Sequence, residues 1–257
     1  MENLVAIDNK AHKNLSINPA KAEHHGAKLN LIPAVVAEFT HLAVQHPIVL
    51  TKHGETGEFV CTALFGFEKD ENLFWLDDQW QGVYLPLQIQ RQPFFIGDAV
   101  DEESTKSGDY VVCIDLNSPT IVDYTSTNAS ANTSINTSND VYSLFTETGE
   151  ESDYFQEAKQ CLAQLMQGKI DNNKLINAVK KFDLIQTLSV EITFINEQHT
   201  RLNGLYTINQ DKLAALKNED IVELHQQQLL PAIYTMITSL GQIYPLIERK
   251  NERLSGQ

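Results

Sequence analysis

Residues 47–67 read PIVLTKHGETGEFVCTALFGF, and this stretch decides what kind of fold the chain can build. Its two ends are rich in β-branched, aliphatic and aromatic side chains, which favour β-strands. The five residues between them, His53-Gly-Glu-Thr-Gly57, have the composition of a turn. The stretch therefore predicts an antiparallel β-hairpin with a loop of about five residues.

Apolar segments on either side of this hairpin predict further strands, either as short apolar runs or by alternation of apolar and polar side chains. The candidates are residues 72–76, 110–116, 120–124 and 188–194. After the last of them, Asn203-Gly204 predicts a tight turn that returns residues 205–208 as a partner strand.

The second half of the chain has the apolar periodicity of helices. Ser152 is a good N-cap for a first helix, whose end is predicted at Gly168, and Asp171 is a candidate cap for a second. Pro245 should kink or end the last helix. The remaining helices are expected at residues 211–217, 219–227 and 231–249.

This order of elements predicts an α+β fold, with a mainly antiparallel β N-terminal half packed with a helical C-terminal half that carries an additional hairpin. The chain has 257 residues, of which 42% are hydrophobic, and we expect one domain over residues 1–257. Residues 1–30 form a polar lead-in. Residues 125–139 are almost wholly Ser, Thr, Asn and Ala, and they predict a flexible surface loop because they can bury little apolar surface.

The charge of the chain bears on its partners. A formal net charge of −15 repels phosphate backbones at long range, so we expect no nucleic-acid partner. The densest basic groups are too small to outweigh that field. They are Lys180-Lys181 and Arg249-Lys250 with Arg253.

The sequence also indicates the cellular compartment in which the protein is expected. Residues 1–17 lack the pattern of a secretory signal, and no window approaches the roughly 18 to 20 apolar residues of a spanning helix, so the chain is not expected to be membrane-embedded. Cys61, Cys113 and Cys161 are odd in number and form no CxxC pair. We expect them to be small buried side chains in a reduced, cytoplasmic protein.

Sequence templates for common chemistry are not matched. The chain has no phosphate-binding loop, no dinucleotide fingerprint after a strand, no nucleophile elbow and no zinc-protease motif. The adjacent His24 and His25 have no third metal ligand nearby in sequence. We expect no cofactor and no bound metal.

Residues 72–95 have the most unusual composition of the chain. They hold both of its tryptophans together with a tyrosine and an arginine, namely Trp75, Trp80, Tyr84 and Arg91. Aromatic residues with an arginine are typical of a recognition surface. The same residues also suit a packed irregular loop, in which Arg91 would pair with Asp77 or Asp78. The sequence leaves both interpretations open.

A series of motifs in this region occurs in a characteristic order. They are His46-Pro47, Ala63-Leu-Phe-Gly66, Asn72-Leu73, Asp78-Gln-Trp80, Tyr84-Leu-Pro86 and Arg91-Gln-Pro-Phe94. In these motifs the chain resembles the SapC-like family of bacteria over nearly its whole length. Many relatives carry two adjacent arginines before the aromatic-Pro-Phe close, whereas this chain has Gln90-Arg91. A ligand contact made by the first arginine would be absent here.

The resemblance implies an accessory role and no particular activity. Members of the family are similar to proteins encoded beside TonB-dependent receptors, flavin-dependent tryptophan-halogenase-like enzymes and cupin-like oxygenases. The resemblance therefore implies a protein or peptide partner, and a part in the uptake or modification of a transported molecule.

Three functions remain open. The first is a non-catalytic accessory or binding protein, which the lack of catalytic motifs favours. The second is an enzyme with an unrecognised acid–base or anion-binding site around His46, Asp78, Tyr84, Arg91 and Asp115. The third is an assembly subunit, which an exposed apolar patch on the final helix would favour. The candidate functional surface comprises His46, Asn72, Trp75, Asp78, Trp80, Tyr84, Arg91 and Asp115.

Overall fold

The computed structural model describes residues 4–98, 110–123 and 141–256. Within them the predicted α+β class is confirmed, because antiparallel sheets lie mostly in the N-terminal half and helices toward the C-terminus. The predicted loop at residues 125–139 lies outside the described residues. In the described part of the chain, no helix is both long enough and apolar enough to span a bilayer.

The strands are short, and most of them precede the long helix. They are β1 (Leu4–Ala6), β2 (Leu15–Ile17), β3 (Leu31–Pro33), β4 (Ile48–Lys52), β5 (Phe59–Leu64), β6 (Trp75–Leu76), β7 (Gln79–Trp80), β8 (Phe94–Asp98), β9 (Tyr110–Asp115), β10 (Ile121–Asp123), β11 (Tyr142–Ser143), β12 (Ile185–Thr193) and β13 (His199–Ile208). The polar lead-in thus contributes two of them, β1 and β2.

The helices lie mainly in the second half. They are α1 (Phe39–Leu42), α2 (Leu87–Gln90), α3 (Asp153–Lys181), α4 (Gln210–Ala214), α5 (Asn218–Gln226), α6 (Leu230–Ser239) and α7 (Ile243–Ser255). Short 3-10 helices occur at Pro19–Gly26, Val36–Glu38 and Leu240–Gln242.

The described residues group into two compact units, each built from two separate segments of the chain. Described residues within the bounds Met1–Gly26 and Leu87–Leu165 form the first unit, and those within Ala27–Pro86 and Met166–Gln257 form the second. The expectation of one domain over residues 1–257 stays a prediction.

The first unit contains two three-stranded antiparallel sheets, with strand orders β1-β9-β8 and β10-β2-β11. Side chains from both sheets meet the first turns of α3 in one apolar core. Its buried members are Ile17, Phe94, Ile114, Leu144, Phe145, Phe155 and Leu162. The strand predicted at residues 110–116 is confirmed as β9 in the centre of its sheet.

The second unit contains a five-stranded antiparallel sheet with the order β12-β13-β4-β5-β3. The hairpin predicted from residues 47–67 is confirmed, since β4 pairs with β5 from Ile48↔Ala63 to Lys52↔Phe59. The additional hairpin of the C-terminal half, β12–β13, joins this sheet through the pair Tyr206↔Leu50.

The turn predicted at Asn203-Gly204 is wrong. Both residues lie inside β13, at the point where its register with β12 shifts. Gly204 has a φ of +76°, a conformation that glycine adopts without steric cost, so the pair forms a β-bulge. The true turn is at residues 194–198, where Phe194 N–H donates to the Gln198 carbonyl over 2.9 Å.

The predicted end of a helix at Gly168 is also wrong, because α3 continues to Lys181. A Cβ on Gly168 would lie 2.5 Å from the Cβ of Val35, so glycine is required here by close packing. Asn172 secures the same loop by donating to the Ala34 carbonyl over 2.7 Å. The predicted cap at Ser152 is confirmed, since its Oγ accepts the N–H of Phe155 over 3.2 Å.

The helix predicted at residues 231–249 is divided. The segment Leu240–Gln242 is a 3-10 helix, and α7 begins at Ile243. Pro245 lies in the first turn of α7, where a missing N–H leaves no helical hydrogen bond unmade.

Candidate functional site

The centre of the unusual segment is a two-residue hairpin that carries both tryptophans. Strands β6 and β7 pair Trp75 with Trp80 and Leu76 with Gln79. The turn residues Asp77 and Asp78 have φ values of +51° and +56°, as a type I′ turn requires. Aspartate tolerates this left-handed backbone better than most residues do. The strand predicted at residues 72–76 is therefore limited to its last two residues.

The loop after the hairpin folds back on Trp80. The indole Nε1 of Trp80 donates to the Tyr84 carbonyl over 3.2 Å. Gly82 makes this possible, because a Cβ there would lie 2.6 Å from that Nε1. The Tyr84 hydroxyl donates to the buried Glu38 carboxylate over 3.2 Å, and its ring stacks on His41 with centroids 5.0 Å apart. Tyr84 is therefore held by contacts at its ring and at its hydroxyl.

His46 lies inside an aromatic cluster and is only 1% exposed. Its ring centroid is 3.9 Å from that of Phe65 and 4.3 Å from that of Phe74. Burial lowers the pKa of His46 to about 3, the backbone of Leu64 opposes the shift, and the charge of Arg249 adds to it. The imidazole is therefore neutral at physiological pH, and the structure places it in the core of the second unit.

Asn72 is buried as well, and it shapes the entry to the hairpin. Its Oδ1 accepts the N–H of Phe74 over 2.8 Å, which makes a local turn between the two residues. Of the predicted surface residues in this unit, His46 and Asn72 lie in the interior. Trp75, Trp80 and Tyr84 are half-buried, and Asp78 is exposed.

Helix α7, which comes much later in the sequence, contacts the loop that precedes the β6–β7 hairpin. Lys250 Nζ lies 2.5 Å from Glu71 Oε1, and the second oxygen of Glu71 accepts the Phe67 N–H over 2.8 Å. Burial lowers the pKa of Lys250, but the pairing with Glu71 and Glu68 outweighs it and the net shift is upward. The Lys250–Glu71 pair thus fixes the loop that precedes the hairpin.

Two arginines of α7 contact the residues that follow this loop. Arg253 donates to the backbone carbonyls of Asn72 and Trp75. Arg249 lies over Phe74, with its guanidinium 4.3 Å from the ring centre. Burial lowers the pKa of Arg253, Glu71 opposes that shift, and Arg249 reinforces it. The two guanidinium groups are therefore close enough to affect each other electrostatically.

An open pocket of about 650 Å³ lies between this hairpin and α7. We call it the hairpin pocket. It combines apolar, acidic and basic side chains. Its lining is Leu73, Trp75, Leu76, Asp77, Asp78, Gln81, Arg249, Glu252, Arg253 and Gly256. Two of the predicted surface residues, Trp75 and Asp78, are thus brought together in one cavity.

The charges that line the hairpin pocket are not paired with each other. Among the described residues, no ion pair within 4.0 Å involves Asp77, Asp78, Arg249 or Glu252. Opposite charges thus face a common space without neutralising one another at contact distance. The arrangement can receive a group of either sign at separate points of its wall.

The two remaining predicted residues belong to the first unit. Arg91 donates to the Gln88 side chain over 2.9 Å and to the Phe94 carbonyl over 2.8 Å, and it lies 4.1 Å from the centre of the Phe95 ring. The Asp115 carboxylate accepts the Asn117 N–H over 3.0 Å at the end of β9. Both residues stabilise local backbone conformation.

Neither the enzyme hypothesis nor the assembly hypothesis gains support from the described residues. Asp78 lines the hairpin pocket, whereas His46 is packed against phenylalanines and Tyr84 is bonded to Glu38. In the predicted final helix, residues 231–249, Tyr234 is 52% and Tyr244 is 74% exposed, but two tyrosines ten residues apart do not make an extended apolar patch. Both hypotheses stay predictions.

Arg249 and Arg253 were not among the predicted site residues. Their sequence suggested only a basic group too small to bind nucleic acid. A positional signal was available, since residues four apart lie on the same face of a helix. Within the described ranges, no group of three or more His, Cys, Asp or Glu residues is arranged to hold a metal ion.

Comparison with known proteins gives one match. No curated protein and no solved structure resembles the chain closely enough to count as a match. The sequence profile of the SapC family matches residues 7–246, which includes the hairpin, its acidic turn and the first turn of α7. The expectation drawn from the ordered motifs is therefore confirmed, and the chain belongs to the SapC family.

Proposed function

We propose that the protein is a non-catalytic accessory protein that binds a segment of a partner polypeptide in the hairpin pocket. The observation that carries the proposal is the pocket itself, in which Trp75 and Leu76 lie beside Arg249 and Arg253. Tryptophan and arginine dominate the binding energy of many protein interfaces. Leu76 adds an apolar side chain that is 50% exposed.

The walls of the hairpin pocket are held in place before any partner binds. Lys250 and Arg253 fix the loop and the first strand of the hairpin through Glu71 and two backbone carbonyls. The acidic turn joins strands whose register is set by the Trp75–Trp80 pair. Such a site loses little conformational entropy on binding, which favours affinity from a small contact area.

The partners that we propose come from the family context. A halogenase-like or cupin-like modifying enzyme that works with a TonB-dependent uptake system would supply the bound segment. We further propose a cytoplasmic location, which the free state of Cys61, Cys113 and Cys161 supports.

A pull-down with purified candidate partners tests the proposal. The binding variant is Leu76→Ser, and the matched control is Val222→Ser on α5, because Val222 is 51% exposed and does not line the hairpin pocket. We expect Leu76→Ser to weaken capture about fivefold or more, since it removes an apolar contact worth roughly 1 to 3 kcal/mol. Val222→Ser should leave capture unchanged.

Tryptophan fluorescence adds an independent readout. The chain has only two tryptophans, and both lie in the β6–β7 hairpin. A partner that enters the hairpin pocket should therefore shift the emission spectrum in the wild type. Capture that is equally strong in both serine variants, with no change in emission, would refute the proposed site.

A further inference from the structure

We infer that the segment bound in the hairpin pocket carries a carboxylate that pairs with Arg249 and, close to it, a cationic group that pairs with the Asp77-Asp78 turn. This inference rests on the proposed function and specifies the chemistry of the partner. Three observations support the inference. The charged side chains that line the pocket are not paired with each other, they include both signs, and two of them are neighbouring arginines.

Arg249 has no acidic partner among the described residues. It is half-buried, its guanidinium packs on Phe74, and no carboxylate of the described residues lies within 4.0 Å of it. Removing a charge from water is costly unless a partner is supplied. The Phe74 ring fixes the position of the guanidinium and leaves its N–H groups for an acceptor. A bound carboxylate is the group that matches this fork of donors.

Arg253 strengthens the same corner of the pocket. Its donors to the Asn72 and Trp75 carbonyls fix its position, and its charge lowers the cost of bringing an anion beside Arg249. The chain has a net charge of −15, and Glu252 lies between the two arginines on the same helix. The two guanidinium groups are therefore the part of the lining where an anion meets a matching charge.

The acidic residues of the lining select against a simple anion. Asp77 and Asp78 sit at the tip of the type I′ turn, and Glu252 adds a third carboxylate to the lining. A phosphate with two negative charges would be repelled by these groups. A carboxylate accompanied by an ammonium or guanidinium group would instead be attracted at both points, so the pocket fits a mixed-charge peptide.

Short synthetic peptides test this chemistry directly. The probes are acetylated, amidated glycine peptides that contain one lysine and one glutamate, either adjacent or separated by one or by two glycines. Control probes replace the glutamate or the lysine by glutamine, and inorganic phosphate serves as the simple anion. Binding to the full chain is read from the emission of Trp75 and Trp80.

We expect at least one mixed-charge peptide to bind. Replacement of its glutamate by glutamine should weaken binding about tenfold or more, because it removes the charge-assisted hydrogen bonds to Arg249. Arg249→Gln should weaken binding of the glutamate peptide to a similar extent. The matched control is Arg201→Gln, which changes an exposed arginine on β13 that bonds to Ser189 and does not line the pocket. Urea unfolding of each variant identifies any loss of fold.

Two results would overturn the inference. One is equal binding of the glutamate and glutamine peptides, and the other is tighter binding of phosphate than of every peptide. If no peptide binds while partner capture still depends on Leu76, the charge chemistry is wrong and the proposed function stands. If a mixed-charge peptide binds through Arg249 but no candidate partner is captured, the inference stands and the partner assignment fails.

Discussion

Arg249 lies over Phe74 with 4.3 Å between its guanidinium and the ring centre, and His46 contacts the same ring, with ring centroids 4.3 Å apart. One phenylalanine thus separates a cation in the hairpin pocket from a neutral imidazole in the core. The charge of Arg249 contributes to the low pKa of His46, although burial is the larger cause. Protonation of this core and the electrostatics of the pocket are therefore linked.

The first prediction concerns stability against pH. His46 has a pKa of about 3 in the folded protein against 6.5 in a free side chain, so between these values the unfolded state binds more protons. The free energy of unfolding should therefore fall as the pH drops below about 6.5, by up to roughly 1.4 kcal/mol per pH unit from this group. Urea unfolding at several pH values between neutral and mildly acidic measures the slope.

His46→Phe serves as the control for this slope. Phenylalanine fills the aromatic cluster and does not titrate, so the variant should lose the part of the pH dependence that His46 contributes. Other groups contribute equally to both proteins and cancel in the difference. Identical slopes for the wild type and the variant would show that His46 is not the buried titrating group.

The second prediction concerns Gly168. Alanine has the higher helix propensity by about 1 kcal/mol, so the helix alone would favour Gly168→Ala. We expect instead a net loss of roughly 1 to 3 kcal/mol, because the new Cβ would overlap Val35. Val35→Gly removes all three side-chain atoms that the new Cβ would meet, so it should relieve the overlap, and the double mutant should be more stable than the two losses predict when added. Gly241→Ala is the control, since its Cβ would meet nothing within 4 Å.

The third prediction concerns the Lys250–Glu71 pair, which is largely withdrawn from water. Lys250→Met should cost about 3 kcal/mol, since it leaves a buried carboxylate without its cation. It should also redshift tryptophan emission, because the loop before the hairpin loses its anchor. Lys212→Met breaks the exposed pair with Asp183 and should cost less than about 1 kcal/mol. Equal costs for the two variants would mean that Lys250 is not a buried anchor.

The fourth prediction concerns the cysteines. Burial raises the pKa of the Cys61 thiol to about 12, whereas Cys113 and Cys161 are only partly buried. Cys61 should therefore resist a thiol-specific reagent in the native protein and react fully in denaturant. The variant Cys61→Ser should lose one reactive thiol in denaturant and none under native conditions. Fast native labelling that disappears in this variant would contradict the prediction.

Local sequence was sufficient for the elements whose cause is local. The β4–β5 hairpin follows from β-forming residues around a Gly-containing loop, and the cap at Ser152 follows from its hydroxyl. Glycine was misread wherever its reason lay elsewhere in the chain. Gly168 is small because Val35 packs on it, and Gly204 relieves a register shift in β13. Neither Val35 nor the register shift can be recognised from the residues next to these glycines.

The candidate site was predicted only in part for the same reason. The composition of residues 72–95 pointed to the hairpin, and Trp75 and Asp78 do line its pocket. Composition did not show that His46, another predicted surface residue, is buried in the core. The basic wall of the pocket comes from α7, and its contacts with Glu71 and Asn72 span 179 and 181 residues.

That separation has a consequence for how the molecule is made. The ribosome delivers Glu71, just before the β6–β7 hairpin, 179 residues before Lys250 of the helix that anchors it. Until then the loop before the hairpin has neither Lys250 nor Arg253 to hold it, and closing so large a loop is slow. The hairpin pocket therefore cannot be complete until α7 has been synthesised, and a nascent chain cannot engage a partner there before that point.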